Sequence, residues 1–303
     1  MPQAQDGRFV IGLDIGTSGC KCTAVDGEGK ILFSQTETYP ISLPRPGWSE
    51  HDPADWAAGA FAALRAMAQA LDMQKALGIS FSGQMHGLVA LDGNMQVIRP
   101  AILWNDQRTE AQCATITRLA GGLRGLLSYT NNMMLTGYTG GKLLWMKEQE
   151  PENFARLRLF LNPKDYIRWL LCGQAETEVS DASGTGLFDV RRRAWAWGLI
   201  DTLGFDRDLF PPVRESTDLC GHVTEAAAAR TGLPAGLPVY AGGGDAVIST
   251  VGMGLLGTSR VGLTLGTSGV AAMCLQDYAE NKDGKLQLFC NNLPGAWHAF
   301  GCT

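Results

Sequence analysis

The sequence has no uninterrupted run of the ~18 apolar residues that a membrane-spanning helix needs, and its opening, MPQAQDGRF, lacks a basic-then-apolar leader pattern. Both absences set the expectation of a cytoplasmic protein with no membrane partner. Basic residues are outnumbered, 25 Lys and Arg against 30 Asp and Glu, for a formal charge of −5. No stretch concentrates enough of them to neutralise many phosphates, which weighs against a nucleic-acid partner. The four histidines, at 51, 86, 222 and 298, lack metal-ligand spacing, and the eight cysteines include no C-x-x-C, so a zinc site and a disulfide framework both fall away. The cysteines read as free thiols. There is no G-x-S-x-G elbow. Residues 137–142, GYTGGK, stop one residue short of a P-loop and are followed by Leu143 instead of Ser or Thr.

What is present is an ordinary globular balance, 45 % hydrophobic and 18 % charged over 303 residues, enough for one large or two medium domains. Glycine is abundant at 38 residues, against a usual ~7 %. Many backbone positions therefore serve tight turns or close approach to a ligand.

The pattern along the chain alternates strands and helices, which predicts an α/β fold. Residues 8–14, 20–26 and 31–38 read as three strands of an antiparallel meander whose first turn is GTSG. Asp52 followed by Pro53 predicts a capped helix running to about residue 72, with Ala57, Ala60, Phe61, Leu64, Met67, Ala68 and Leu71 on one face. A strand at 75–82 ends at GQMHG, residues 83–87. Helices are predicted at 109–120, 141–149, 163–171 and 224–231. Residues 252–257 match G-x-G-x-x-G, but the segment after them reads as a strand where a dinucleotide site needs a helix.

An internal repeat is the most informative signal. Residues 12–19 read GLDIGTSG and residues 262–269 read GLTLGTSG, six identities in eight positions. Two domains of common ancestry would each offer a glycine hairpin to a shared cleft. Such a turn exposes successive backbone N–H groups and two hydroxyls, a concavity for phosphate oxygens. Asp14 precedes the first turn, whereas Thr264 stands at the equivalent place in the second. A carboxylate beside a phosphate cradle suits a hard cation lying between them, so Asp14 is a candidate Mg²⁺ ligand; pairing with Lys21 is the plain alternative. Asp245 follows an apolar strand and three glycines and is the candidate catalytic base. Capping a helix that starts near Ala246 is the equally weighted alternative.

Together, GLDIGTSG at 12–19, GQMHG at 83–87, LWNDQRT at 103–109, GGGDA at 242–246 and LGTSGV at 265–270 resemble the FGGY carbohydrate kinases. Residues 137–149, GYTGGKLLWMKEQ, look like the first signature of that family, with Lys142 and Trp145 at its fixed positions. The resemblance implies ribonuclease H-like domains of the actin and sugar-kinase superfamily. It implies ATP- and Mg²⁺-dependent phosphorylation of a ketopentose, with D-xylulose going to D-xylulose 5-phosphate favoured over a related ribulose or glycerol reaction. Asp245 would deprotonate the sugar hydroxyl, Asp14 would help hold Mg²⁺, and Gln84, Met85 and His86 would meet the ketose. Gly16, Thr17, Ser18, Lys21, Gly266, Thr267 and Ser268 would surround the phosphates. For Asn105, Asp106 and Arg108 a structural ion-pair network is at least as good a reading as sugar contact.

Two departures stand out. Family members acting on D-xylulose usually carry Asn after the catalytic Asp, where this chain has Ala246. The second domain also looks cut short: residues 1–236 form the expected sugar-binding domain and residues 237–303 the opening of a nucleotide-binding one. Exposed apolar surface is expected there, with homodimer formation or other self-association as a consequence, and a sugar-binding fragment without turnover is an alternative outcome.

Overall fold

Strict alternation at the start of the chain decides the first layer. In β1 (Phe9–Ile15) every second side chain is buried, and Cys20, Cys22 and Ala24 of β2 (Gly19–Asp26) fall on the same face, as a two-residue period requires. β3 (Ile31–Thr38) completes an antiparallel meander. The buried face is covered by α1 (Pro53–Ala70), whose Trp56, Ala60, Phe61, Leu64 and Met67 point inward. Asp52 caps that helix, accepting the Ala54 N–H at 2.9 Å. The chain then returns as β4 (Ala76–Gly83), parallel to β1, the crossover that two parallel neighbours need.

The computed structural model describes residues 7–257, 260–265 and 269–302. Helices α2 (Thr139–Gln149) and α3 (Pro163–Cys172) match their expected positions within two residues, and α4 (Val179–Ser183) is a short buried turn. β5 (Leu219–His222), β6 (Pro238–Tyr240) and β7 (Gly243–Gly244) extend the first sheet to seven strands in the order β5-β6-β4-β1-β2-β3, with β7 also pairing β4. The sheet thus takes in residues on both sides of the division expected at 236/237. After α5 (Asp245–Gly252) a second sheet follows. It is built from β8 (Gly262–Leu265), β9 (Gly269–Leu275), β10 (Gln287–Cys290) and β11 (Trp297–Cys302), antiparallel throughout in the order β8-β9-β11-β10.

A helix over Gly122–Thr130 was not expected. It starts at Gly121 and Gly122, both with positive φ, and has no side-chain cap, so its local sequence reads as a breaker. The seven cysteines whose side chains are described are buried free thiols. Among the described residues no helix is long and apolar enough to cross a membrane.

Candidate active site

The turn between β1 and β2 is fixed from behind. Gly16 N–H donates to Gly19 O at 3.1 Å. Tyr39 OH donates to Gly16 O at 2.6 Å, and the Gln84 amide donates to the same carbonyl at 3.2 Å. Thr17 Oγ1 donates to Gln84 Oε1 at 3.3 Å and accepts from Trp104 Nε1 at 2.9 Å. Gln84 is 1 % exposed, so its amide braces the turn from beneath, and Ser18 stays on the open side. Asp14 sits opposite Lys21 in β2 and Ser82 in β4. Both Asp14 and Lys21 line a small cavity of about 230 Å³, yet Asp14 Oδ1 is buried with no hydrogen-bond partner among the described residues.

A larger cavity of about 560 Å³ is walled by Met85, His86, Trp104, Tyr138, Asp245 and Thr264 among others. His86 takes a left-handed backbone, φ 67°, and its ring stacks on Tyr138 with centroids 4.8 Å apart. Its Nδ1 lies 2.6 Å from Gly184 O. A carbonyl can only accept, so Nδ1 carries the proton and Nε2 is left as an acceptor. Burial, with the Lys142 charge adding to it, pulls the His86 pKa down to about 3, and the ring stays neutral. A Cβ on Gly184 would fall 2.6 Å from that ring, so glycine is what lets the carbonyl come so close.

The three glycines before Asp245 each answer a separate contact. Gly242 has φ 79° and a Cβ there would meet Phe81 O at 2.1 Å; on Gly243 it would meet Asn292 Nδ2 at 2.0 Å, and on Gly244 Met85 Cγ at 2.5 Å. Asp245 opens α5, and its Oδ1 accepts the Ala246 N–H at 2.7 Å. The N-cap position is Gly244 and the helix has no side-chain cap, so the carboxylate, bonded only to its neighbour's N–H, lines the cavity from the first position of α5. Burial raises its pKa to about 7, with nearby Asp14 adding to the rise against the Ala246 hydrogen bond. A carboxylate so tuned accepts a proton at neutral pH.

Beneath the glycines lies a buried polar network that the sequence reading missed. Gly244 N–H donates to Ser180 Oγ at 2.9 Å, and Ser180 donates to Glu178 at 2.6 Å. Ser216 donates to the other Glu178 oxygen at 2.7 Å, and the Asn292 amide reaches Ser216 at 2.9 Å. Lys164 Nζ meets Asp165 at 2.7 Å, Asp181 at 2.9 Å and Glu178 at 3.4 Å, all fully buried. Burial opposes the Lys164 charge, but the three carboxylates outweigh it and hold the pKa above its ordinary value.

LWNDQRT divides in two. Trp104 reaches the cavity. Asp106 is fully buried, accepting Ser49 N–H at 2.7 Å and a bidentate pair from Arg108, whose guanidinium lies 3.6 Å over Trp48 and 4.9 Å from Trp145. Asp106 and Arg108 thus build the structural network, while Asn105 is exposed. At the second hairpin, Leu265 of β8 pairs Gly269 of β9, and Thr264 lines the larger cavity. The expected phosphate contacts Gly266, Thr267 and Ser268 lie outside the described residues. Among the described residues no group of three or more His, Cys, Asp or Glu could hold a metal by itself.

This mixed α/β architecture is that of solved sugar kinases. The structure of xylulose kinase from Rhodospirillum rubrum superposes with a TM-score of 0.92 at 30 % identity, covering 97 % of this chain and 60 % of that one. The family model for the N-terminal domain of the FGGY family of carbohydrate kinases matches residues 9–252, and the chain belongs to that family. It is 39 % identical to xylulose kinase of Bacillus subtilis over 301 residues, covering 98 % of this chain and 59 % of the relative. With xylulose kinase of Lactococcus lactis it shares 40 % over 298 residues, again 59 % of the relative. The chain thus spans about three fifths of the length of the curated relatives it matches.

Proposed function

We propose that the chain is the sugar-binding part, with the opening of the nucleotide-binding part, of an ATP- and Mg²⁺-dependent ketose kinase that converts D-xylulose to D-xylulose 5-phosphate. The observation that carries this reading is one cavity lined by Met85, a neutral His86 and an Asp245 poised near pH 7. The names of the relatives support the choice of ketose.

In the proposed step Asp245 accepts the proton of the terminal sugar hydroxyl as that oxygen bonds to the γ-phosphorus of ATP. The bond to the β–γ bridging oxygen breaks and ADP leaves. His86 Nε2 accepts from a sugar hydroxyl. Gly16, Thr17, Ser18 and Lys21, with Gly266, Thr267 and Ser268, cradle the phosphates. Asp14 Oδ1, with no hydrogen-bond partner among the described residues, is the hard oxygen donor a Mg²⁺ ion takes, and such an ion would neutralise phosphate charge there. Ala246 offers the sugar no side-chain hydrogen bond, so discrimination among ketoses falls to the other walls. Phosphorylation rates on a panel of D-xylulose, ribulose and glycerol, in a chimaera completed to the length of the relatives, test the reading. D-Xylulose should lead; a preference for glycerol overturns the substrate assignment.

A further inference from the structure

Lys142 is fully buried. A buried amine ordinarily finds a carboxylate, as Lys164 does. Lys142 instead donates to two backbone carbonyls, His86 O and Gly137 O, each at 2.7 Å. His86 and Gly137, far apart in sequence, both line the larger cavity. The His86 carbonyl also accepts from Thr139 Oγ1 at 3.0 Å, and the next carbonyl, Gly87 O, accepts from Asn162 at 2.9 Å. This concentration of donors falls where the backbone is left-handed without being glycine, a conformation that persists only when its surroundings impose it.

We propose that Lys142 is a positioning residue for the sugar: by clamping the carbonyls of His86 and Gly137 it imposes the His86 backbone geometry, which delivers Nδ1 to Gly184 O and reserves Nε2 as an acceptor in the cavity. The inference rests on the sugar-binding reading of that cavity. It accounts for a lysine in a family signature that makes no contact with the cavity itself.

Nitrogen-15 NMR of the imidazole rings in the 303-residue chain, with His86 assigned by its loss in His86→Gln, reads the clamp without any sugar. The native chain should show His86 protonated at Nδ1. Lys142→Met keeps the side chain's length and removes the donors; it should mix the two His86 tautomers and weaken D-xylulose binding by calorimetry roughly tenfold or more, the scale of one misplaced hydrogen bond. An unchanged His86 spectrum in a folded Lys142→Met protein overturns the proposal, even if the melting temperature falls. Should that variant not fold, Thr139→Val, which removes the other side-chain donor to His86 O, must shift the same signal part of the way, and no shift overturns the clamp. A native chain that shows the Nδ1 tautomer but binds no ketose counts against the proposed function and leaves the clamp to the spectra.

Discussion

Asp245 holds its proton to about pH 7 because burial and the nearby Asp14 outweigh one backbone hydrogen bond. The rate at low substrate should therefore rise with pH and level off above about 7. Asp245→Asn should lower transfer by ~10²–10⁴-fold, the usual contribution of a general base, with sugar affinity reduced only modestly. Near-native turnover in that variant removes Asp245 from the mechanism.

The same shift has a stability consequence of definite sign. Unfolded, the carboxyl titrates at ~4, so between there and about 7 the folded chain keeps a proton that the unfolded chain has released. Stability falls with rising pH across that window and is flat above it. The melting-temperature gain of Asp245→Asn over the native chain should be small at the acid end and largest above neutrality. His86 works in the opposite direction. It stays neutral down to about pH 3 in the fold but takes a proton below ~6.5 when unfolded. Stability is lost as pH falls through that interval, and His86→Gln should flatten this acid limb in a series of thermal melts.

At the scale of elements, glycine positions separate steric need from backbone freedom. Gly184 has an ordinary helical φ of −72°, so Gly184→Ala tests the clash of a Cβ with the His86 ring at 2.6 Å and with Met85 Cε at 3.0 Å, not backbone freedom. It should cost about 1–3 kcal/mol of stability, as overpacking does, and weaken sugar binding. Gly252 ends α5 with nothing within 4 Å of an added Cβ; Gly252→Ala should instead stabilise the chain by up to ~1 kcal/mol. Denaturant melts of both decide whether these contacts govern the site. The contrast also explains what could be read in advance. The meander, α1 with its Asp52 cap, and the strand that ends just before Met85 and His86 follow from local periodicity and turn residues. The place of Asp245 on the cavity was legible because a strand, three glycines and an acid are contiguous. Glu178, Ser180, Ser216 and Asn292 come from three separate stretches and meet only through the fold, so no local pattern announces their network. Lys142 was conspicuous as a signature position, but one of the carbonyls it serves, His86 O, is brought to it only by the tertiary fold.

Across the whole molecule, the two edges of the second sheet have opposite fates. The β10 edge is fastened to the body that carries the first sheet: the Asn132 amide donates to Leu288 O at 2.7 Å and accepts Leu288 N–H at 2.8 Å, as a neighbouring strand would. Tyr138 OH donates to Gln287 at 3.0 Å, and Arg193 pairs with Glu215 at 2.6 Å while its guanidinium also donates to Ala296 O at 3.0 Å. Among the described residues β8 pairs only with β9, and its Leu263 is 66 % and Leu265 83 % exposed. An apolar strand at the edge of a sheet is a template for another chain. The 303-residue chain should therefore associate with itself as concentration rises, seen as an increasing weight-average mass in sedimentation. The pair Leu263→Lys and Leu265→Lys places charge on that edge and should return the chain to a monomer without altering the His86 spectrum, because neither leucine lines the cavity that His86 does. A native chain that stays monomeric at every concentration would mean that the β8 edge is not adhesive.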